Sequence, residues 1–388
     1  MIIKHTFAFN HRTRICFGPG ICSETGKEVG SYGTRALIVT DRGVRNAGIV
    51  DKIQISLRQA GVEYAVYDKI LPNPRDTSCD EAAELGKDFG ADVILGIGGG
   101  SSMDSAKAVS VLMSNGGSCS HWAKVRKFDK ELFPVICVPT TCGTGSEVTF
   151  EAVITATELG MKVSMSDGFK MAPKVAIMDP ELTMTVPPLV TASTGMDALT
   201  HALEAFTCTY SHPISDGIAM YAMNKIAGSI VTATKEGSNL KAREDMMVGS
   251  LMAGIAFTNT FLGAVHCFSE RLGGFYDIPH GIANSIFLPF VTEYNMRADY
   301  EKHAIAAKCL GIETFGLSDE EAAAEGVSRL FDLNDVLGIP KFSELEVVDP
   351  KDFEEIAALC DSHACKKANP RPIGHKQFLE ILQKAYDF

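Results

Sequence analysis

The chain has 388 residues, 46% hydrophobic and 22% charged, enough for two domains that each bury a core. A net charge of −12 excludes nucleic acid and anionic membrane surfaces as expected partners; the nearest approach to a basic patch, Lys366-Lys367 with Arg371, is too short to be more than solvated surface. No run of ~18 uninterrupted apolar residues reads as a membrane span, Met1-Ile-Ile-Lys-His5 lacks the layout of a secretory signal, and 11 cysteines scattered without a Cys-x-x-Cys pair suit free, mostly buried thiols in a reducing cytoplasm.

The first half alternates strand and helix. Residues 35–40 read as a short apolar strand closed by Asp41-Arg-Gly43, and Val50, Ile53, Leu57 and Ala60 mark the helix after it. Residues 63–67 are the next strand. Residues 77–89 follow as a helix, with Thr77 as its N-cap and Asp80-Glu81 in its first turn. Residues 92–97 form a strand that runs into three glycines, 101–113 a helix and 134–138 a strand. Residues 148–165 are less regular and fit a hairpin; 174–178 are one more strand. This alternation predicts a parallel, doubly wound sheet covered by helices. After Pro187-Pro188 the strand signal fades. Helical periods run through 191–208, 213–235, 240–258, 283–295, 300–310 and 319–337. The expected organisation is an α/β N-terminal domain, residues 1–186, and an all-α C-terminal domain, residues 187–388.

Two loops of the α/β part suit a dinucleotide. Gly98-Gly-Gly-Ser101 leaves a strand and opens a helix, where glycines let backbone N–H groups approach a pyrophosphate and the helix dipole favours its charge. Thr140-Thr-Cys-Gly-Thr-Gly-Ser146 leaves the next strand and offers hydroxyls and glycines together. Both would lie at the carboxyl edge of the sheet, where open α/β folds bind ligands. Asp41 ends an early strand; a carboxylate there bonds a ribose 2′-hydroxyl and repels a 2′-phosphate, which favours NAD over NADP. Tight turns and a helix cap are the structural readings of the same residues.

In the helical part, Asp197 and His201 are four residues apart and share a helix face. His266 and His280 lie in apolar, glycine-punctuated segments further on. A lone histidine in such a setting is commonly a hydrogen-bonded core residue. One carboxylate with three imidazoles is instead a donor set suited to Fe²⁺ or Zn²⁺.

At this point the chain resembles the iron-containing (group III) alcohol dehydrogenases, which have a dehydroquinate synthase-like fold. The resemblance runs through Ile15-Cys-Phe-Gly-Pro-Gly20, Leu71-Pro-Asn-Pro74, Gly98-Gly-Gly-Ser-Ser-Met-Asp-Ser-Ala-Lys107 and Pro139-Thr-Thr-Cys-Gly-Thr-Gly-Ser-Glu147. It continues through Asp179-Pro-Glu-Leu182, Gly195-Met-Asp-Ala-Leu-Thr-His-Ala202, Gly273-Gly-Phe-Tyr-Asp-Ile-Pro-His-Gly281 and Asn369-Pro-Arg371. It implies a dinucleotide-binding domain followed by a helical metal-binding domain, and a cytoplasmic homodimer. The implied metal ligands are Asp197, His201, His266 and His280, holding one divalent ion, Fe²⁺ before Zn²⁺. Residues implied to bind NAD(H) are Asp41, Pro72, Asn73, Gly98, Gly99, Gly100, Ser101, Asp104, Thr140, Thr141, Thr144, Ser146, Val153, Lys162 and Leu182, with Lys162 near the nicotinamide. The implied reaction is reversible hydride transfer between a small primary alcohol or aldehyde and nicotinamide, the metal acting as Lewis acid.

One departure stands out. Most relatives carry a second histidine four residues after the one matching His266; here Glu270 occupies that place in His266-Cys-Phe-Ser-Glu270. Glu270 and His280 are the candidate catalytic residues. A carboxylate at 270 disfavours anionic substrates unless it is protonated. Phe150, Phe257, Phe261 and Cys267 are expected to line a partly apolar pocket, with Cys267, beside a ligand, open to oxidation. Three alternatives share the scaffold: a cyclising lyase of the dehydroquinate synthase type, a hydroxyacid–oxoacid transhydrogenase and a silent scaffold protein. The first would need a basic cleft, which the apolar metal-domain motifs do not supply; the last would have lost ligands, and all four are present.

Overall fold

A computed structural model describes residues 6–388; the signal-peptide reading at Met1–His5 lies outside the described residues. The chain divides into two compact units, His11–Val186 and Pro187–Phe388, the second taking in the segment that ends at Asn10.

The first unit is built on β1 (Arg14–Phe17), β2 (Arg35–Val39), β3 (Glu63–Tyr67), β4 (Val93–Gly98), β5 (Val135–Pro139), the pair β6 (Glu151–Ala156) and β7 (Met161–Ser166), and β8 (Val175–Met178). Six strands form one sheet in the order β1-β8-β5-β4-β2-β3, every neighbouring pair parallel. β4, β5 and β8 are buried at every position because both faces of the sheet are covered. Alternation divides their side chains. Leu37, Val39, Ile94 and Cys137 enter one core with Met103 and Ala106; Ala36, Ile38, Leu95 and Val138 enter the other with Ile53 and Leu57.

From β2 the chain moves to β3 on one side, and from β4 to β5 on the other. β2 and β4 are neighbours, with Val39 opposite Gly96, so the topological switch point lies between them. The hairpin of β6 and β7 is antiparallel, as its irregular sequence suggested. The edge strand β1, four residues long, has too little pattern to read from sequence. Thr77 is not an N-cap. The helix begins at Asp76, whose carboxylate accepts from the Thr77 N–H at 2.9 Å and also from the Thr157 N–H at 3.2 Å.

In the second unit the described residues form helices and turns and no strand. The long helices are Pro188–Thr207, Pro213–Lys235, Leu240–Thr258, Ala264–Phe275, His280–Asn295, Tyr300–Cys309 and Asp319–Leu337, followed by Phe353–Asp361 and His375–Asp387. Helix Ala264–Phe275 eluded the sequence reading because Gly263 and the Gly273-Gly274 pair weaken its local propensity. Packing decides it: Phe268 stacks on Phe287 of helix His280–Asn295 at 4.4 Å between ring centroids. That second helix starts three residues earlier than its periodicity suggests, after Pro279 at its N-cap. No helix among the described residues is long and apolar enough to cross a membrane. All eleven cysteines are free thiols, and all but Cys16 and Cys309 are buried.

The α/β unit buries one acid at a cost. Glu147 is 2% exposed in the turn after β5. Burial pushes its carboxyl up to about 7, against the pull of the nearby Lys107 ammonium. Its folded pKa therefore lies above the unfolded value, so the native state binds the extra proton between about 4.5 and 7, and stability falls as pH rises through that window. Glu147→Gln should match the wild type below that window and exceed it by on the order of 3 kcal/mol above it. The emission of Trp122, the sole tryptophan and buried in this unit, follows the transition during unfolding. A variant whose advantage does not grow with pH would contradict this account.

Candidate metal centre and dinucleotide loops

Asp197 and His201 project from one face of helix Pro188–Thr207, His266 is the third residue of helix Ala264–Phe275, and His280 is the first of helix His280–Asn295. The structure brings all four together: one donor atom from each lies within 4.8 Å of the others. His280 Nε2 is 3.7 Å and His201 Nδ1 3.9 Å from Asp197 Oδ1. Gly281 makes this approach possible. A Cβ there would stand 2.5 Å from the Ser193 carbonyl oxygen, so only glycine lets the His280 helix seat against the Asp197 helix.

The donor set fits a divalent cation. Asp197, His201 and His266 are buried, and their donor atoms converge with that of His280, beside the Asn284 amide. Asn284 Nδ2 donates to Asp197 Oδ1 at 2.6 Å and lies 3.4 Å from His266 Nε2 and 3.2 Å from His280 Nε2. Its own Oδ1 is buried without a hydrogen-bond partner. Converging carboxylate and imidazole lone pairs of this kind suit a divalent cation among them.

Glu204 was missed from sequence, although Asp197, His201 and Glu204 at i, i+4 and i+7 trace one stripe of the helix. Its Oε1 accepts from the Val265 N–H at 2.7 Å and its Oε2 from His266 Nδ1 at 2.5 Å. That bond fixes the His266 tautomer and leaves Nε2 facing the other donors. Burial alone would lower the His266 pKa, but the Glu204 carboxylate outweighs it and the value is raised. Asn369, in the closing Asn-Pro-Arg motif, accepts from the Ala264 N–H at 3.1 Å and so ties down the start of the same helix. Phe257 stacks on His201 at 4.5 Å, giving the centre an apolar wall. Phe261 is exposed, and Phe150 packs on Phe169 in the other unit. Cys267 does not line a pocket. It is fully buried, its thiol is directed at the Gly263 carbonyl, and burial holds its pKa well above the usual value, which removes the expected oxidation weakness.

In the α/β unit, Asp41, the Gly98–Ser101 turn and the Thr140–Ser146 loop leave the carboxyl ends of β2, β4 and β5, three adjacent strands. Asp41 serves two partners. One oxygen caps helix Arg42–Asn46 through the Val44 N–H at 3.0 Å, and the other accepts from the Ser102 hydroxyl at 3.3 Å. Gly100 is required by close approach: a Cβ would meet the Thr144 side chain at 2.5 Å, and Thr141 lies beside Gly99. The Thr140 N–H donates to Gly98 O at 3.0 Å, joining the two loops. Asp104 is engaged by protein groups, accepting from the Ser146 hydroxyl and from the Val153 N–H at 3.0 Å. Lys107, for which the sequence suggested no role, is 1% exposed and donates to Ser146 Oγ, Thr149 Oγ1 and Glu151 O, each at 2.8 Å. Pro72 and Asn73 precede Pro74, whose carbonyl takes the Thr155 N–H at 2.7 Å, so their loop is pinned to the hairpin that carries Val153 and Lys162. Leu182 is 2% exposed and belongs to the hydrophobic core below β8. Asp179 accepts from the N–H groups of Gly20, Cys22 and Glu181, each at 3.1 Å, tying two of the quoted motifs together.

Glu204→Gln tests the metal centre. Glutamine replaces one of the two acceptor oxygens with an NH2 donor, which would face either the Val265 N–H or His266 Nδ1–H, so metal affinity should fall by about 10–100-fold with the helical content unchanged. Competition with a chelator reads this directly, and unaltered affinity would remove Glu204 from the site.

Comparison with known proteins supplies the family. Residues 12–180 match the model for iron-containing alcohol dehydrogenase, and residues 191–386 the model for the C-terminal part of the Fe-containing alcohol dehydrogenase family. The chain is 38% identical over 373 residues to 1,3-propanediol dehydrogenase of Citrobacter freundii, covering 95% of this chain and 96% of that one. It is 37% identical over 370 residues to the NAD-dependent methanol dehydrogenase of Bacillus methanolicus, covering 95% and 97%. Its fold superposes on a crystal structure of 1,3-propanediol oxidoreductase with a TM-score of 0.95 at 37% identity, covering 98% and 100% of the two chains. These matches favour the dehydrogenase over the lyase, and the chain belongs to the iron-containing alcohol dehydrogenase family.

Proposed function

We propose that this chain catalyses reversible hydride transfer between a small primary alcohol or aldehyde and NAD(H) at a centre holding one divalent metal ion, Fe²⁺ before Zn²⁺. The observation that carries the reading is the convergence of one carboxylate and three imidazoles within 4.8 Å in a chain of this family. When bound, the metal supplies Lewis-acid polarisation of the substrate oxygen, and the nicotinamide exchanges hydride with the substrate carbon. Asp197, His201, His266 and His280 would hold the ion, with Glu204 orienting His266. Phe257 keeps water from the His201 side, which strengthens electrostatic interactions at the centre. Glu270, one turn beyond His266, and His280 are the candidate catalytic residues, with the Glu270 carboxylate placed to position the substrate.

In the same reading, residues 11–186 bind the dinucleotide. The start of helix Gly100–Asn115 and the Gly98–Ser101 turn receive the pyrophosphate. Asp41 accepts a ribose hydroxyl, the Thr140–Ser146 loop contacts other parts of the cofactor, and the hairpin with Lys162 serves its nicotinamide end. Asp104 and Lys107 keep these loops in place. Eleven free thiols support a cytoplasmic setting, and the family resemblance supports a homodimer.

The test is a panel of short alcohols, diols and aldehydes with NAD and NADP after loading with Fe²⁺ or Zn²⁺. NADH should form with at least one alcohol, and no NADH with any of them would sink the proposal. His266→Ala and His280→Ala should each lower turnover by more than about a hundredfold while circular dichroism stays unchanged; near wild-type rates would overturn the ligand assignment. Asp41→Gly should raise the NADP-to-NAD ratio of kcat/KM by about tenfold or more. An unchanged ratio would dismiss Asp41 as the selector.

A further inference from the structure

A second cluster lies beside the metal centre, formed by Glu270, His363 and Cys365. Glu270 follows His266 by four residues on helix Ala264–Phe275, so the two side chains leave the same helix face one turn apart. The His266 side chain is 2% exposed and that of Glu270 28%, so this face opens outward from the metal ligand towards the carboxylate. His363 Nε2 lies 2.8 Å from Glu270 Oε2.

The tautomer of His363 follows from its other nitrogen. Nδ1 accepts the Cys365 N–H at 3.2 Å, where His363 caps the short helix Ala364–Ala368. Nδ1 therefore carries a lone pair, the ring proton is on Nε2, and Nε2–H donates to Glu270. This argues against a second metal site. A cation at Nε2 would need that lone pair, which puts the proton on Nδ1 facing the Cys365 N–H. It also makes the ring neutral, so the pair as a whole keeps the carboxylate's negative charge.

We infer that His363 is a positioning residue whose Nε2–H clamps Glu270, and that the clamped carboxylate selects neutral or cationic alcohols over anionic ones. The substrate class follows from the charge: a hydroxy acid would bring its carboxylate towards a fixed negative group, whereas an amino alcohol would bring an opposite charge. This inference rests on the dehydrogenase reading for its substrate and on the pair's own geometry for the clamp.

The test separates the two roles of His363. His363→Asn keeps an oxygen to cap Cys365 and loses the reach to Glu270. His363→Gln keeps an N–H donor near the place of Nε2. The readout is the ratio of kcat/KM for an amino alcohol to that for a hydroxy acid of the same chain length. Glu270→Gln should move this ratio about tenfold towards the hydroxy acid. His363→Asn should move it the same way by at least about threefold, and His363→Gln should stay within about twofold of the wild type, with bound metal unchanged in all three. The inference is overturned if His363→Asn leaves the ratio unchanged, or if both His363 variants shift it equally. Nitrogen NMR of the imidazole gives a readout that needs neither turnover nor a folded His363 variant. It should find His363 protonated on Nε2 only, with a resonance that moves in Glu270→Gln; a proton on Nδ1, or no response to that change, overturns the clamp. If no alcohol of any charge reacts, the dehydrogenase reading fails, and the NMR result still decides the clamp.

Discussion

Four lone-pair donors brought to one buried point repel each other unless positive charge stands among them, and the helical unit is organised around that repulsion. Asn284 Nδ2 faces Asp197 and two of the three imidazoles, those of His266 and His280, and its partner oxygen is left without a hydrogen bond. A folded chain can hold such an arrangement only if the elements bearing the donors are tied independently of it. They are. The His280 helix is seated through Gly281 on the backbone at Ser193, and the His266 helix is held at its start by Glu204 and Asn369. Stacked phenylalanines join these helices at a distance from the donors.

The α/β unit meets a related constraint with a different device. A dinucleotide-binding edge must present unsatisfied backbone N–H groups without collapsing onto itself. The Gly98–Ser101 turn and the threonine loop press on each other where glycines have no Cβ, and a buried network of Lys107, Asp104, Ser146 and Thr149 fixes the far side of both. Because each side chain of this network has a hydrogen-bond partner within it, it adds rigidity without the cost of stranded charge. Glu147 is the exception, a buried acid whose burial outweighs the attraction of Lys107.

Beside the candidate metal centre, the carboxylate at 270 meets His363 Nε2 from the cap of a separate short helix, where Nδ1 of the same ring accepts the Cys365 N–H. The donor's own orientation is set by a backbone N–H, so the pair does not depend on the long Glu270 side chain finding its rotamer unaided.

Much of this was legible in the residues. Strand runs, the point where strands give way to helices, and the spacing of Asp197 and His201 follow from periodicity, because side-chain direction repeats along one element. The glycine turns announced themselves for the same local reason, although Gly100 turned out to serve the approach of Thr144 as well as any ligand. Other assignments depended on which elements meet. Glu204 lay within a helical run without a role of its own, and only the start of another helix laid against it supplies its partners. Lys107 carried no signal of its own; its role appears only where β6 and the Thr140–Ser146 loop supply its acceptors. Cys267, adjacent to a ligand, turned inward because a helix sends neighbouring residues to different faces. His363 had no signal at all, lying 93 residues from Glu270. The sequence determined which chemistries were present and on which element each was carried. Tertiary structure alone decided their partners, because a hydrogen bond between distant residues is a property of how helices pack and leaves no period in the chain.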